Sequence, residues 1–199
     1  FSAGFGEVSD TGREIERELV RIAHQGGARI IGPNCVGLYV PSARVAGIPG
    51  LPVEAGPVGV ISQSGYLADS FSMSAKTTGL RFSKVISCGN QCDLNVADFL
   101  EYLGQDSQTS LIVVYLEGIK DGRRFLQLAK QISSQKPILV LKGGVTDFGA
   151  RAVYSHTGGI AGSADIWSAV CKQTGMISAN SQEELLDLVL SFYYLPVPA

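Results

Sequence analysis

A surplus of one charge is missing from this chain. Its 16 lysines and arginines stand against 18 aspartates and glutamates, a formal charge of −2, which leaves no electrostatic case for nucleic acid or an anionic membrane. No apolar run reaches transmembrane length and no signal peptide is visible. Cysteine is sparse: Cys35, Cys88, Cys92 and Cys171 include one CxxxC spacing, with neither a second pair nor a nearby histidine to complete a zinc site. They are expected to be free, partly buried thiols in a cytoplasmic protein, and no metal site is read. Histidine is scarcer still, with His24 and His156 alone among 199 residues. No GxxxxGK[ST] occurs, and Gly4-Phe5-Gly6 has no third glycine where a dinucleotide loop needs one. What is plentiful is small and apolar: 24 glycines, and a 45% apolar share that suits a buried core.

Periodicity divides the chain into alternating elements. Ile15, Leu19 and Ile22 at helical spacing predict a helix over 11–25, stopped by Gly26-Gly27, and residues 28–31 are expected to form a short strand. Residues 32–37 are turn-rich, and 38–56, with three prolines and three glycines, are expected to be a linker with extended pieces. Apolar strands are predicted at 58–62, 82–87, 111–116, 137–141 and 176–178. Helices are predicted at about 64–78, 95–104 (capped by Asp93 or Asn95), 121–134, 163–174 and 181–193. Uniformly apolar strands alternating with helices imply a doubly wound, mostly parallel sheet. The opening residues, Phe1 to Gly6, have the character of a strand exit, so a piece of a longer protein is expected.

In such a sheet ligands sit beyond the carboxyl ends of the strands. Four segments fall on that edge: Ser62-Gln63-Ser64-Gly65, Cys88-Gly89-Asn90, Glu117-Gly118, and the small-residue run from Lys142 to Gly162 that carries His156. Ser64-Gly65-Tyr66 opens a helix, whose unpaired amides make an anion seat; the plain alternative is an N-cap serine and a packing glycine. A lone imidazole in a glycine-rich loop points to phosphoryl transfer more than to metal binding, against a plain surface histidine. A carboxylate at Glu117 either caps the next segment or faces the ligand edge. There it would fix the tautomer of His156 and leave the other nitrogen as nucleophile.

Several stretches occur in an order that resembles the alpha-subunit part of NDP-forming acyl-CoA synthetases, the superfamily of ADP-forming acetyl-CoA synthetase and succinyl-CoA synthetase. They are Ser2-Ala3-Gly4-Phe5-Gly6-Glu7, Ile31-Gly32-Pro33-Asn34-Cys35-Val36-Gly37, Gly59-Val60-Ile61-Ser62-Gln63-Ser64-Gly65, Leu100-Glu101-Tyr102-Leu103, the segment from Tyr115 to Arg123, and Ser155-His156-Thr157-Gly158. The resemblance covers essentially the whole chain. It implies a flavodoxin-like domain over 57–179, preceded over 1–37 by the C-terminal part of a Rossmann-like CoA-binding domain and the 38–56 linker. Residues 180–199 would begin a following segment.

The activity implied by the resemblance is a relay. Acyl-CoA and phosphate give an acyl phosphate and CoA, and the phosphoryl group passes to a histidine and then to ADP or GDP. His156 matches the phosphorylated histidine, with Ser155, Thr157 and Gly158 supporting its loop, and Glu117 matches its orienting carboxylate. Ser64, Gly65 and Tyr66 match the phosphate-holding helix start. Pro33, Asn34 and Cys35 match the loop near the CoA thiol end, with Gly89 and Asn90 beside it; for Cys35 a small buried residue in a tight loop is an equal alternative. CoA and phosphate are the implied ligands here. The nucleotide (ADP/ATP or GDP/GTP) and its magnesium would come with an ATP-grasp domain or beta subunit, in an oligomeric assembly. The competing expectation keeps the fold as a CoA- or acyl-CoA-sensing module, for example one fused to a protein acetyltransferase.

Overall fold

Along the strand Leu111–Leu116, Ile112, Val114 and Leu116 enter one apolar core while Leu111 and Val113 enter another. A period of two with both faces apolar demands a sheet covered on both sides. The computed structural model of the chain, which describes residues 2–144 and 164–195, has that architecture. In chain order its elements are α1 (Asp10–Gln25), β1 (Leu38–Val40), a 3₁₀ turn (Pro41–Ala43), β2 (Val45–Ala46), β3 (Val58–Ser62), α2 (Gly65–Thr78), β4 (Phe82–Ser87), α3 (Val96–Gln105), β5 (Leu111–Leu116), α4 (Gly122–Ser133), β6 (Ile138–Lys142), α5 (Ala164–Thr174), β7 (Ile177–Ala179) and α6 (Gln182–Tyr194).

The sheet runs β2-β1-β4-β3-β5-β6-β7. β4, β3, β5, β6 and β7 are parallel, and the edge pairings β1–β4 and β1–β2 are antiparallel. Counted along the chain, the parallel strands lie in the order 2-1-3-4-5, the flavodoxin-like winding. One face is covered by α3, α4 and α5, with Phe99, Phe125 and Trp167 buried there. The other is covered by α2 and α6, through Phe71, Leu185 and Val189. The doubly wound, mostly parallel fold expected from the sequence is therefore present.

Local chemistry explains most of the boundaries. Asn95, one of the two expected caps, closes the start of α3 in a reciprocal capping box with Asp98. Gly79, at φ 75°, ends α2 in the left-handed region that glycine adopts without strain.

Four features emerge only in the structure. Residues 28–31 form no strand; the carbonyls of Ile30 and of Gly32 just after it accept from Leu94 N and Cys92 N, so the chain here pairs with a loop instead of the sheet. The 38–56 stretch is tied into the sheet through β1, where Leu38 and Tyr39 face Ile86 and Val85. Helix α6, assigned from sequence to a following segment, sinks Leu185 and Val189 to zero exposure against the same core as β5 and β6. In α1 the buried positions are Gly12 and Glu16, while Ile15, Leu19 and Ile22 are 46%, 39% and 52% exposed.

If α6 is integral to the sheet, Leu185→Ala should cost about 2–5 kcal/mol, the usual range for a fully buried leucine. Urea unfolding of the variant against the parent measures it; a loss near zero would mean that the helix is a loosely attached appendage.

Candidate functional site

The strand order reverses between β3 and β5, because the chain leaves β3 for α2 on one face and β5 for α4 on the other. Beyond the carboxyl ends of these two strands lies a cavity of about 850 Å³. Its lining includes Ser64, Gly65 and Tyr66 from the start of α2, Glu117 from the end of β5, Gly89 and Asn90 after β4, and Asn34 and Cys35 from the preceding loop. Eight of the residues singled out from sequence thus meet at one place. Pro33 sits just behind them, its carbonyl accepting from Asn90 N at 2.9 Å. Ser155, His156, Thr157 and Gly158 lie outside the described residues.

At the α2 end, the turn is locked by Ser62: its Oγ accepts from Ser64 N at 3.2 Å and donates to Ser64 O at 2.7 Å. Ser64 is an N-cap, accepting from Leu67 N at 3.3 Å. The amides of Gly65 and Tyr66 occupy the first helical positions, where no intrahelical acceptor exists, and the positive end of the helix dipole adds to them. The two readings of this serine are therefore compatible: the side chain caps while the amides behind it stay available to an anion. A side chain at Gly65 would begin 3.1 Å from Val36 Cγ1, so the small residue also lets α2 approach the Pro33 loop.

Glu117 is 8% exposed. Tyr115 Oη donates to its Oε1 at 3.4 Å, and its Oε2 is buried with no hydrogen-bond partner among the described residues. A buried carboxylate oxygen without a donor is costly and calls for a partner. Burial and the neighbouring Glu117 push the Tyr115 phenol up to about 12, so it stays protonated and donating. The main chain of Glu117 is gripped from both sides. Gln63 Oε1 accepts from Glu117 N and, at 2.9 Å, from Gly118 N, while Gln63 Nε2 donates to Gly118 O at 2.7 Å. Lys142 Nζ donates to Glu117 O at 2.8 Å and to Gly143 O. Burial lowers the Lys142 ammonium, and the charge of Glu117 offsets part of that.

The opposite wall is a polar lattice. Asn90 Nδ2 donates to Glu7 Oε2 and to Glu16 Oε1 at 2.7 Å, and its Oδ1 accepts from Asn34 Nδ2 at 3.3 Å. Lys120 Nζ donates to the carbonyls of Asn90 and Gln91 at 3.0 and 2.6 Å. Cys35 is half-buried beside the cavity and Cys88 fully buried, where burial pushes its thiol up; all four cysteines are free. Among the described residues, no group of three metal-ligating side chains comes together, and no helix is long and apolar enough to cross a membrane.

Gln63, Tyr115, Lys142, Glu7 and Glu16 were not singled out as site residues from sequence. For Gln63 a signal existed, its place between the end of a buried strand and the start of α2. Glu16 carried none, because a glutamate on a charged helix looks solvated.

These features define a flavodoxin-like α/β domain with a helix N-terminus and a buried acid at its switch point. Residues 55–192 match the model of the succinyl-CoA ligase-like flavodoxin domain, and the chain belongs to that family. It is 44% identical over 191 residues to the alpha subunit of ADP-forming acetate–CoA ligase II from Pyrococcus furiosus, covering 96% of this chain and 42% of that protein. To the 4-hydroxybutyrate–CoA ligase (ADP-forming) of Nitrosopumilus maritimus it is 37% identical, over 100% of this chain and 29% of that protein. Among solved structures, a dinucleotide-forming acetyl-coenzyme A synthetase 1 of Ca. Korarchaeum cryptofilum, in complex with phosphate and ADP, superposes with a TM-score of 0.89 at 40% identity. That match covers 99% of this chain and 43% of that one. The chain thus spans less than half the length of these relatives.

The stretch that leads from α1 toward the Pro33–Cys35 loop is held by Asp93, which accepts from Arg29 Nη2 at 2.7 Å, Ile30 N at 2.8 Å and His24 Nε2 at 3.1 Å. Arg29 above all holds the Asp93 carboxyl well below the usual carboxylate range. A depressed folded value stabilises above the ordinary aspartate value, near 4, and that stability is lost as pH falls through the folded value. Asp93→Asn should therefore cost about 1–3 kcal/mol at pH 7, with the gap to the parent narrowing below about pH 4. Urea unfolding at pH 7 and pH 3 measures both; a gap independent of pH would show that Asp93 does not act through its charge.

Proposed function

We propose that this chain is the acyl-CoA- and phosphate-handling part of an ADP-forming acyl-CoA ligase. It interconverts acyl-CoA, phosphate and ADP with acid, CoA and ATP. The observation that carries the reading is the pairing at the switch point: two helix-start amides with no intrahelical acceptor, for a phosphate, and a buried glutamate with one oxygen unpartnered among the described residues. The family match and the ligases named above support it.

In the first step a phosphate oxygen attacks the thioester carbonyl, the C–S bond breaks, and CoA leaves as its thiol after taking a proton. The amides of Gly65 and Tyr66 hold the phosphate oxygens, whose charge the helix dipole stabilises. In the second step one imidazole nitrogen of His156 attacks the phosphorus of the acyl phosphate and the carboxylate departs. Glu117 Oε2 accepts from the other ring nitrogen, which fixes the tautomer and balances the charge of the ring. In the third step an oxygen of ADP takes the phosphoryl group and the ring returns neutral. We assign the nucleotide, with its magnesium, to an ATP-grasp domain or partner subunit, and the CoA end to the Asn34–Cys35 and Gly89–Asn90 side of the cavity. Residues 1–37 would close a CoA-binding unit preceding the flavodoxin-like domain.

The test uses the complete ligase, with its ATP-grasp part, and ATP labelled in the γ-phosphate. Acid-labile, base-stable label should appear on His156. His156→Ala should abolish the label, and Glu117→Gln should slow its appearance on the order of 10²-fold or more, as expected when a nucleophile loses its orienting group. Undiminished label in His156→Ala would remove the assignment.

A further inference from the structure

We infer that Gln63 is a positioning residue that sets the spacing between the phosphate seat and the carboxylate of Glu117. The inference rests on the phosphohistidine reading above and adds a residue to it.

Three features of this side chain support the assignment. Its main chain runs from the end of β3 directly into Ser64, so any movement of Gln63 moves the anion seat. Its amide makes three hydrogen bonds to the Glu117–Gly118 turn, 54 and 55 residues away, taking both N–H groups on its oxygen and giving its own N–H to the Gly118 carbonyl. Its main-chain N–H also donates to Tyr115 O at 3.3 Å, the last rung between the adjoining strands β3 and β5.

The consequence is geometric. Parallel pairing fixes the register of β3 and β5 only as far as Ser62 and Tyr115. Beyond that point each chain turns away to its own helix, on opposite faces of the sheet. Nothing in the ladder then determines how far the free amides of α2 lie from the Glu117 carboxylate. Gln63 bridges that gap with a planar group that is both donor and acceptor. Lys142 holds the Glu117 carbonyl from the β6 side, so the only unbonded part of the residue's polar complement among the described residues is Oε2. Acyl phosphate and imidazole must meet in line at a separation that tolerates little error, and a displacement of about 1 Å can cost on the order of 10²-fold in rate.

The experiment measures single-turnover labelling of His156 in the complete ligase, steady-state KM for acyl-CoA, and thermal unfolding. Gln63→Met removes the amide at nearly constant length. It should slow labelling on the order of 10- to 100-fold, with KM for acyl-CoA changed less than about threefold and the fold retained. Gln63→Glu keeps an acceptor for both amides but loses the donor to Gly118 O, so it too should slow labelling, and it serves as the second variant should the first not fold. A double-mutant cycle supplies the readout that a purely structural role would not move: in a Glu117→Ala background, Gln63→Met should slow labelling further by less than about threefold, because Gln63 acts through Glu117. Undiminished labelling in a folded variant, full additivity in the cycle, or loss of fold in both variants would overturn the inference. Absence of label in the parent ligase would instead defeat the phosphohistidine reading on which it rests.

Discussion

The constraint on which the rest depends is the parallel ladder between β3 and β5. Because both strands end at the same edge and their chains depart to opposite faces, a crevice opens that neither helix layer fills. Its floor consists of strand ends, its one side of amides with no helical acceptor, and its other side of a buried acid. None of these is stable by itself in an apolar interior. They persist because the two cores beneath them, built on alternate residues of the same strands, hold the sheet in one register. A one-residue slip would turn every apolar side chain to the wrong layer.

What could be read in the sequence followed range of interaction. Strands β3, β4 and β5 and their helices were legible to within a residue or two, because runs such as Leu111–Leu116 and caps such as Asn95 carry their reasons locally. Residues 28–31 were not, since an extended apolar run is compatible with a strand until a partner is chosen, and here the partner is the loop at Cys92–Leu94. The edge strands β1 and β2 had three and two residues to announce themselves. Helix α6 was found, but its allegiance to this sheet depends on contacts with β5 and β6 that no local pattern encodes.

The site divides the same way. Ser64, Gly65 and Glu117 were visible as strand-end chemistry, and the fold brings them to one cavity. The pairings that steady them were hidden, because Gln63 with Glu117, Asn90 with Glu7 and Glu16, and Arg29 with Asp93 are separated by more than fifty residues. A polar side chain with a distant partner looks identical, in one dimension, to one that faces water.

Gly89, at φ 49°, stands where the loop after β4 crosses the Pro33–Asn34 loop so closely that a side-chain carbon there would lie 2.1 Å from one carbonyl oxygen and 2.4 Å from the other. The width of the cavity at this end is therefore governed by two backbones in contact, with no side chain between them to trim or enlarge. Residues that merely face the space, such as Asn34 and Cys35, can vary the lining; the frame that spaces them cannot be adjusted one atom at a time. Diversification of what this pocket accepts is thereby channelled to its lining and to whatever surfaces are brought against its open side.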